Sequence, residues 1–341
     1  MEHKLAHGPL LNEKGNLEEA GYAFELVKEY RRSAIKGLKS RIKEWDYYFI
    51  RDDEYGVALT IDDNSYMGMA SISLLDFKNK TEITKSYIKW LTFGKVNFPS
   101  SSKDGDVKIE NKQYSLIFKN DNGKRHLICE MKNFKNKETF KCEFSLENTT
   151  DKSMVIATPF KKKKHFYYNQ KINLLNGEGY FEFNGLKHEF NKSNTLGVLD
   201  WGRGVWTYSN TWYWSSLSAK QDNHYLGFNL GYGFGDTSNA SENMFFYDKE
   251  AFKLEDVTFN IPKDNKGKED YLKPWTFTSK SGDISLVFEP IIDRYSNTNA
   301  LIIQSKQHQV FGYFTGIIKA NGKEYKLEHL LGFAEKVKNR W

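Results

Sequence analysis

Alternating apolar and polar residues dominate the chain and predict β-strands. In segments 140–146 and 283–289, for example, nearly every second residue is apolar. Such alternation buries one face of a strand and leaves the other in water, as is typical of antiparallel sheets. Asn-Gly dipeptides are a strong signal for tight hairpin turns. We therefore predict turns at the chain's four Asn-Gly dipeptides, which begin at Asn122, Asn176, Asn184 and Asn321.

Helical periodicity is scarce along the chain. Apolar residues in 17–42 recur at roughly helical spacing, which predicts one or two short helices there. Another short helix is predicted over 238–244, capped by Asp236 or Ser238. The remaining strands and turns indicate barrels or sandwiches.

A length of 341 residues would be crowded in one barrel. We therefore place a boundary near residue 155, after the polar, turn-rich stretch 147–152. The predicted units are an N-terminal segment with a short helix (1–44), a first barrel-like half (45–155) and a second half carrying an aromatic pocket (156–341).

Charge, cysteine content and the absence of long apolar runs indicate which partners and which location to expect. The net charge of +6 is spread along the chain, and the lysine run 161–164 is interpreted as a solvated loop, so we expect no nucleic-acid partner. Cys129 and Cys142 flank the turn-like segment 133–137, and we predict that they are reduced neighbours in one hairpin. The first nine residues lack the apolar core of a signal peptide, and no apolar run is long enough to span a bilayer. These features predict a cytoplasmic protein without an integral membrane segment.

Residues 201–248 carry the densest chemical signal. They hold 13 of the 53 aromatic residues and four of the eight tryptophans, but only one lysine, Lys220. Large apolar rings beside carboxylates, an arginine and amides are typical of a ligand cavity. A solid core of packed tryptophans is the alternative interpretation. The candidate ligand-binding residues are Trp201, Arg203, Trp206, Tyr208, Trp212, Trp214, Asn229, Tyr232 and Asn243.

Carboxyl groups in an aromatic pocket are candidates for proton transfer, because desolvation raises their pKa values toward neutrality. The candidate catalytic residues are Asp236, Glu242, Asp200 and Asp293. Arg203 either pairs with Asp200 or holds the anionic head of a ligand. The glycines in 231–235 do not form a nucleotide loop, because no apolar helix follows them and Asp236 would repel phosphate. Histidine spacing gives no metal-ligand pattern, so we predict no metal.

Three motifs carry a resemblance to a known family. They are Asp-Trp-Gly-Arg-Gly-Val-Trp at 200–206, Trp-Tyr-Trp at 212–214 and the glycine-rich stretch 227–236. Together they resemble the bacterial family called domain of unknown function 2804, over the whole chain, with Thr207 where a proline is expected. That family is distantly similar to tandem lipocalin-like proteins, which include carotenoid hydratases, tocopherol cyclase and Diels–Alderases. The resemblance implies two calycin-type barrels, an apolar cavity, and action on hydrophobic substrates without metal or organic cofactor.

The predicted fold is thus all-β, with two antiparallel lipocalin-like (calycin) barrel halves and a short N-terminal helical segment. The leading functional hypothesis is a cofactor-free hydratase, cyclase or isomerase that acts on a hydrophobic small molecule, isoprenoid or acyl. A non-catalytic carrier or sensor of a hydrophobic ligand is the alternative. Carbohydrate processing is a third hypothesis, because tryptophan faces stack on sugars and paired carboxylates cleave glycosides.

Overall fold

The computed structural model describes residues 2–300 and 303–340, and β-strands dominate it. Three short strands open the chain: β1 (Gly8–Pro9), β2 (Gly21–Ala23) and β3 (Lys28–Glu29). The strands that follow, up to residue 205, are β4 (Ile42–Arg51), β5 (Tyr55–Asp63), β6 (Met67–Asp76), β7 (Thr81–Trp90), β8 (Val107–Glu110), β9 (Tyr114–Asp121), β10 (Lys124–Lys135), β11 (Glu138–Asn148), β12 (Met154–Pro159), β13 (Phe166–Phe183), β14 (Leu186–Phe190) and β15 (Leu196–Val205). The strands after residue 208 are β16 (Ser209–Gln221), β17 (His224–Tyr232), β18 (Met244–Tyr247), β19 (Glu250–Lys253), β20 (Val257–Asn260), β21 (Trp275–Ser279), β22 (Ile284–Ala300), β23 (Ile303–Ala320) and β24 (Lys323–Arg340).

Two curled antiparallel sheets account for most of the described residues. The first sheet runs in the order β7-β6-β5-β4-β15-β13-β11-β10-β9-β8, with β12 and β14 also paired to β13, and β2 paired to β12. The second sheet runs in the order β19-β18-β17-β16-β24-β23-β22-β21-β20. Each sheet curls until its far strands approach one another. In the first sheet the Tyr87 hydroxyl donates to the Lys132 carbonyl (3.1 Å), and in the second the Phe259 amide donates to the Tyr232 hydroxyl (3.4 Å).

Turn chemistry is confirmed at three of the four Asn-Gly dipeptides. Asn122, Asn184 and Asn321 begin tight turns in which both turn residues have positive φ, as the two-residue hairpin requires. The prediction at Asn176 is wrong, because Asn176-Gly177 lies inside β13. A Cβ on Gly177 would lie 2.0 Å from the Ser145 carbonyl oxygen, so close strand approach requires this glycine.

The cysteine prediction is confirmed. Cys129 in β10 pairs directly with Cys142 in β11, and both are free and buried in the first sheet. Burial raises the pKa of the Cys142 thiol well above its ordinary value.

The predicted helices do not form. Within the described part of 17–42, the helical structure consists of two 3₁₀ turns, Arg32–Ala34 and Lys39–Arg41. This segment wraps the first sheet and buries Tyr30 and other apolar side chains in its core, and such tertiary packing overrides a weak helical periodicity. Residues 238–243 are also non-helical, because Asp236 forms a local turn with the Ser238 amide (3.1 Å) instead of capping a helix.

The transition between the sheets falls at residues 206–208. The predicted boundary near 155 lies within the first sheet, in or beside β12, and the polar stretch 147–152 spans the end of β11 and a loop. A polar, turn-rich sequence marks a surface loop in either case, so it does not distinguish a loop within a sheet from a domain boundary.

Successive side chains along a strand face either the interior of its own curled sheet or the interface between the two sheets. One apolar core fills the first sheet and a second fills the curl of the second sheet. Smaller apolar clusters lie where the two sheets pack face to face; Phe49, for example, contacts Phe311 with 5.0 Å between ring centroids. The Arg51 guanidinium also spans this interface and donates to the Ser218 carbonyl (2.6 Å). The strands β4 and β15, and β13 over residues 166–177, are therefore covered on both faces.

Candidate active site between the two sheets

The motif at 200–206 lies on β15, where alternation divides its side chains between two environments. Trp201 and Val205 belong to the core of the first sheet, with Trp201 fully buried. The Arg203 guanidinium lies over the Trp201 ring at 4.2 Å, on the same side. Asp200 points to the opposite side, toward the second sheet.

This alternation decides between the two roles considered for Arg203. Residues three apart on a strand lie on opposite faces, so Arg203 and Asp200 do not pair. Arg203 instead pairs with buried Asp46 (3.0 Å) and donates to backbone carbonyls of Trp45, Gly202 and Pro99. It is a structural cation of the first half.

Glycines on the interface side make room for bulky groups. A Cβ on Gly202 would lie 1.9 Å from the Trp45 ring, so that ring rests directly on the backbone of β15. A Cβ on Gly231 would lie 2.7 Å from the Glu242 carboxylate oxygen. Gly202 and Gly231 therefore allow these side chains to approach the backbone closely.

Lys171 on β13 is the cation at the centre of the interface. Its side chain is 4% exposed, and its Nζ lies 2.9 Å from Asp200 Oδ1. Asn169 donates to the same Asp200 oxygen (2.6 Å) and to the Trp201 carbonyl (2.7 Å). The Lys171 ammonium also lies 3.9 Å above the Trp214 ring. A carboxylate and an aromatic face together compensate the buried charge.

Glu242 lies beside this ion pair. Asn229 links it to the tryptophans: its Nδ2 donates to the Glu242 carbonyl (2.7 Å), and its Oδ1 accepts from Trp214 Nε1 (2.7 Å). Burial raises the pKa of Glu242 above its ordinary value, and the Asp200 charge raises it further, while Lys171 opposes the shift.

Glu335 on β24 is a further buried carboxyl group facing the first sheet. It accepts hydrogen bonds from Trp212 Nε1 (2.9 Å), Gln309 Nε2 (3.2 Å) and Gln307 Nε2 (3.3 Å). Burial raises the pKa of Glu335 to about 7, against the opposing effects of Trp212 and Lys171. A carboxyl group with such a pKa exchanges its proton near neutral pH. Lys171, Asp200, Glu242 and Glu335, with Asn229 and Trp212, are called the inter-sheet site below.

Aromatic rings pack beside the inter-sheet site. Trp206 contacts Trp45, Trp212 and Phe234 edge to face, with ring centroids 5.1, 5.9 and 4.7 Å away. Tyr167 stacks on Trp45 at 5.9 Å. Trp206 is buried, whereas Trp45 and Trp212 are only partly buried. The rings thus form a packed cluster with two partly open members.

The structure brings together only some of the residues singled out from the sequence. Those at or beside the inter-sheet site are Asp200, Glu242, Asn229, Trp206, Trp212 and Trp214. Trp201 and Arg203 lie inside the first half. Asn243 is a buried brace next to Glu242 that accepts from the Gly231 amide (2.8 Å) and donates to the Glu255 carbonyl (3.1 Å).

The remaining candidates lie elsewhere. Asp236 is exposed, and its hydrogen bonds with Ser238 lower its pKa. Tyr208 is 43% exposed. Tyr232 stacks on Tyr213 at 4.5 Å, on the interior side of the second sheet. The Asp293 carboxylate accepts a hydrogen bond from His308 Nδ1 (2.7 Å), away from the inter-sheet site.

Sequence reasoning missed Lys171 and Glu335. Lys171 lies between Gln170 and Ile172, in a part of β13 that is buried on both faces. Glu335 lies between Ala334 and Lys336 on β24. The sequence signal that could have identified Lys171 is its position as the one lysine in 166–175, a stretch rich in apolar and amide side chains. Only the pairing of β13 with β15 and of β16 with β24 places these residues near Asp200 and Trp212.

Within residues 2–300 and 303–340, no three His, Cys, Asp or Glu side chains are grouped so as to hold a metal ion. In the same part of the chain, no helix has the length and apolar character needed to cross a bilayer.

Comparisons with known proteins agree with this architecture. No curated protein sequence matches the chain. A candidate AttH protein from Nitrosomonas europaea shares 12% identity and a TM-score of 0.52, covering 87% of this chain and 92% of that one. Kievitone hydratase from Nectria haematococca shares 13% identity and a TM-score of 0.53, covering 93% of this chain and 97% of that one. At such identities the similarity shows a shared tandem lipocalin-like fold. The profile of the family described as "Domain of unknown function (DUF2804)" matches residues 2–341, so the chain belongs to that family.

Proposed function

We propose that the chain is a hydratase, cyclase or isomerase that transfers protons to and from a hydrophobic small molecule at the inter-sheet site, without a cofactor. One observation carries the proposal: Lys171 pairs with Asp200 and also acts on the buried carboxyl groups of Glu242 and Glu335, where Lys253 and Arg294 add to its effect. Burial outweighs these cations at Glu242 and Glu335, so both carboxyl groups hold a proton more readily than an exposed glutamate does. The fold shared with a hydratase is compatible with this proposal by analogy alone.

The two kinds of carboxyl group suit opposite roles. Burial dominates at Glu335 and raises its pKa to about 7, which suits a proton donor to an alkene or epoxide. Asp200 is ion-paired with Lys171 at 2.9 Å, which suits a carboxylate that receives a proton from water or from the substrate. Glu242, also with a raised pKa, is the second candidate donor. Neighbouring carboxyl groups in contrasting environments are a common basis for acid and base roles.

The aromatic cluster supplies the binding surface in this proposal. Partly buried Trp45 and Trp212 offer apolar faces to an isoprenoid or acyl chain. A cation that develops on protonation would be stabilised by about 2 kcal/mol per desolvated ring face. Trp214 is less available for this role, because Lys171 already lies over its face.

Carbon-bound deuterium reports the proposed transfer of a proton to an alkene, whether the product is a hydrate, a cyclised chain or an isomer. The purified protein is incubated in deuterium oxide with polyprenyl alcohols and unsaturated fatty acids, and mass spectrometry measures deuterium at carbon. We expect Glu335→Gln and Glu242→Gln to reduce uptake by about 100-fold or more, which is typical for loss of a general acid. Asp236→Asn, at an exposed carboxylate, is the matched control and should retain uptake.

Two results would contradict this function. Uptake that persists at the wild-type rate in the Glu242→Gln/Glu335→Gln double variant would show that these carboxyl groups do not transfer the proton. A protein that labels none of these probes, yet retains a lipid in native mass spectrometry, would be the non-catalytic carrier instead.

A further inference from the structure

A polar cavity of about 390 Å³ lies in the first half, on the other side of β13 from the inter-sheet site. Gln170 and Ile172 line it, whereas Lys171 between them points to the second sheet. The cavity has an exposed rim and a buried inner end. The rim residues are Glu25, Lys103, Asn148, Asp151 and Lys152, and the inner residues are Ser102, Arg125, Ser153, Gln170 and Ile172. The volume lies within the range of small-molecule sites.

Arg125 is the charged group of the inner end. It is 2% exposed, and its guanidinium donates to the Gly123 carbonyl (2.6 Å), the Asn148 side-chain oxygen (2.8 Å) and the Ser102 carbonyl (3.4 Å). Its Nε is buried without a hydrogen-bond partner. Within the described part of the chain, no carboxylate forms an ion pair with Arg125, in contrast to the Arg203–Asp46 pair.

A buried guanidinium with no ion-pair partner is costly, because it has lost water and its hydrogen-bond partners are neutral. Buried Asp46 acts on Arg125 only at a distance and is already paired with Arg203. The rim does not supply the missing charge. Lys103 pairs with Glu25 at 3.8 Å, and exposed Lys152 and Asp151 are of opposite sign. The rim is therefore close to neutral, and the inner end is positive. This polarity favours a molecule that enters with its anionic group first.

The neutral inner residues form a fixed polar wall. Ser102 Oγ donates to Gln170 Oε1 (2.5 Å), and Gln170 Nε2 donates to Ser153 Oγ (2.8 Å). These groups satisfy one another, so Arg125 Nε is the donor in this wall that is left without a partner. Guanidinium groups bind carboxylates and phosphates through several N–H donors at once.

We propose that this cavity binds a small organic acid or phosphate ester, with the carboxylate or phosphate on Arg125 and the polar body of the molecule between Ser153 and the rim. This site is separate from the inter-sheet site and does not depend on the proposed reaction. It would hold an anionic regulator or a second small-molecule ligand on the far face of β13.

Thermal unfolding of the full chain tests the proposal with defined probes. Sodium phosphate and sodium citrate are titrated separately, and sodium chloride at equal ionic strength is the control. We expect one of the two oxyanions, or both, to raise the melting temperature in a saturable manner that chloride does not reproduce. The arm that saturates at lower concentration identifies the preferred group, phosphate or carboxylate.

Variants assign the effect to Arg125. Arg125→Gln should abolish the saturable shift, and Lys152→Ala should weaken it about threefold or more, because unbalanced Asp151 would then make the rim negative. Lys119→Ala, an exposed lysine on β9 outside the cavity, is the matched control and should bind as the wild type does. Should Arg125→Gln fail to fold, Arg125→Lys keeps the charge but loses the forked donors, and it should bind about tenfold more weakly. An oxyanion shift no larger than that of chloride, or an equal shift in the folded Arg125 variant, would overturn the proposal.

Discussion

Replacing Glu335 by Gln should remove the part of the pH dependence of the unfolding free energy that comes from this carboxyl group. In the folded state burial raises the pKa of Glu335 from 4.5 to about 7. Between these pH values the folded chain keeps a proton that the unfolded chain has released, so stability falls as pH rises through this window. Below pH 4.5 Glu335 is protonated in both the folded and the unfolded state. Above about pH 7 it is ionised in both, and the full cost of burying its charge lowers the stability.

The size of the effect follows from the shift. A tenfold change in an acid dissociation constant corresponds to about 1.4 kcal/mol, so a rise from 4.5 to about 7 corresponds to about 3 kcal/mol. The glutamine of the Glu335→Gln variant cannot titrate, although it loses part of the hydrogen bonding from Trp212 and Gln309 at every pH. The difference in unfolding free energy, wild type minus variant, should therefore fall by about 3 kcal/mol between about pH 4 and pH 8.

Urea unfolding at several pH values measures this difference directly. Other buried carboxyl groups, such as Asp62 with a pKa raised to about 8 by burial, contribute equally to both proteins and cancel. Glu328→Gln, at an exposed position on the same strand, is the control and should show no such trend. If the difference between wild type and Glu335→Gln stays constant across the pH range, Glu335 does not have the raised pKa on which its proposed role depends.

Two further substitutions test the packing around the site. Gly231→Ala places a Cβ 2.7 Å from the Glu242 carboxylate and should cost about 1–3 kcal/mol in urea unfolding, whereas Gly37→Ala, whose Cβ would meet its nearest atom at 3.6 Å, should cost far less; equal costs would show that Gly231 is not needed for close approach. Arg203→Met leaves Asp46 buried without its cation and should cost about 3–5 kcal/mol, and adding Asp46→Asn should restore part of the stability. A double variant no more stable than the single one would exclude the ion pair as the cause.

Local features of the fold were readable from the sequence. The hairpins at Asn122, Asn184 and Asn321 follow from the positive φ that Asn-Gly adopts, and the Cys129–Cys142 pairing follows from alternation about a short turn. The sequence did not predict which distant strands pair with one another. The pairing of β4 with β15 joins residues about 150 positions apart, and nothing in either strand's pattern identifies its partner.

The candidate site shows the same limit. Asp200, Glu242 and Trp212 were singled out because they lie in or beside an aromatic-rich stretch, but their partners Lys171 and Glu335 lie outside it, on β13 and β24. Both faces of β15, and of β13 over residues 166–177, are buried, so polar residues there do not mark a solvent side. Asp200 and Arg203, three positions apart on β15, therefore lie in different environments, and composition alone does not show this.

The covering of β4, β15 and residues 166–177 of β13 on both faces has a consequence for exchanging parts between relatives. A half-barrel taken from one homologue would present its outer face to a foreign partner, and the catalytic side chains proposed here come from both contributors. Chimeras joined at 206–208 should therefore lose the proton-transfer centre unless both outer surfaces are transplanted together, even when each half keeps its own interior intact.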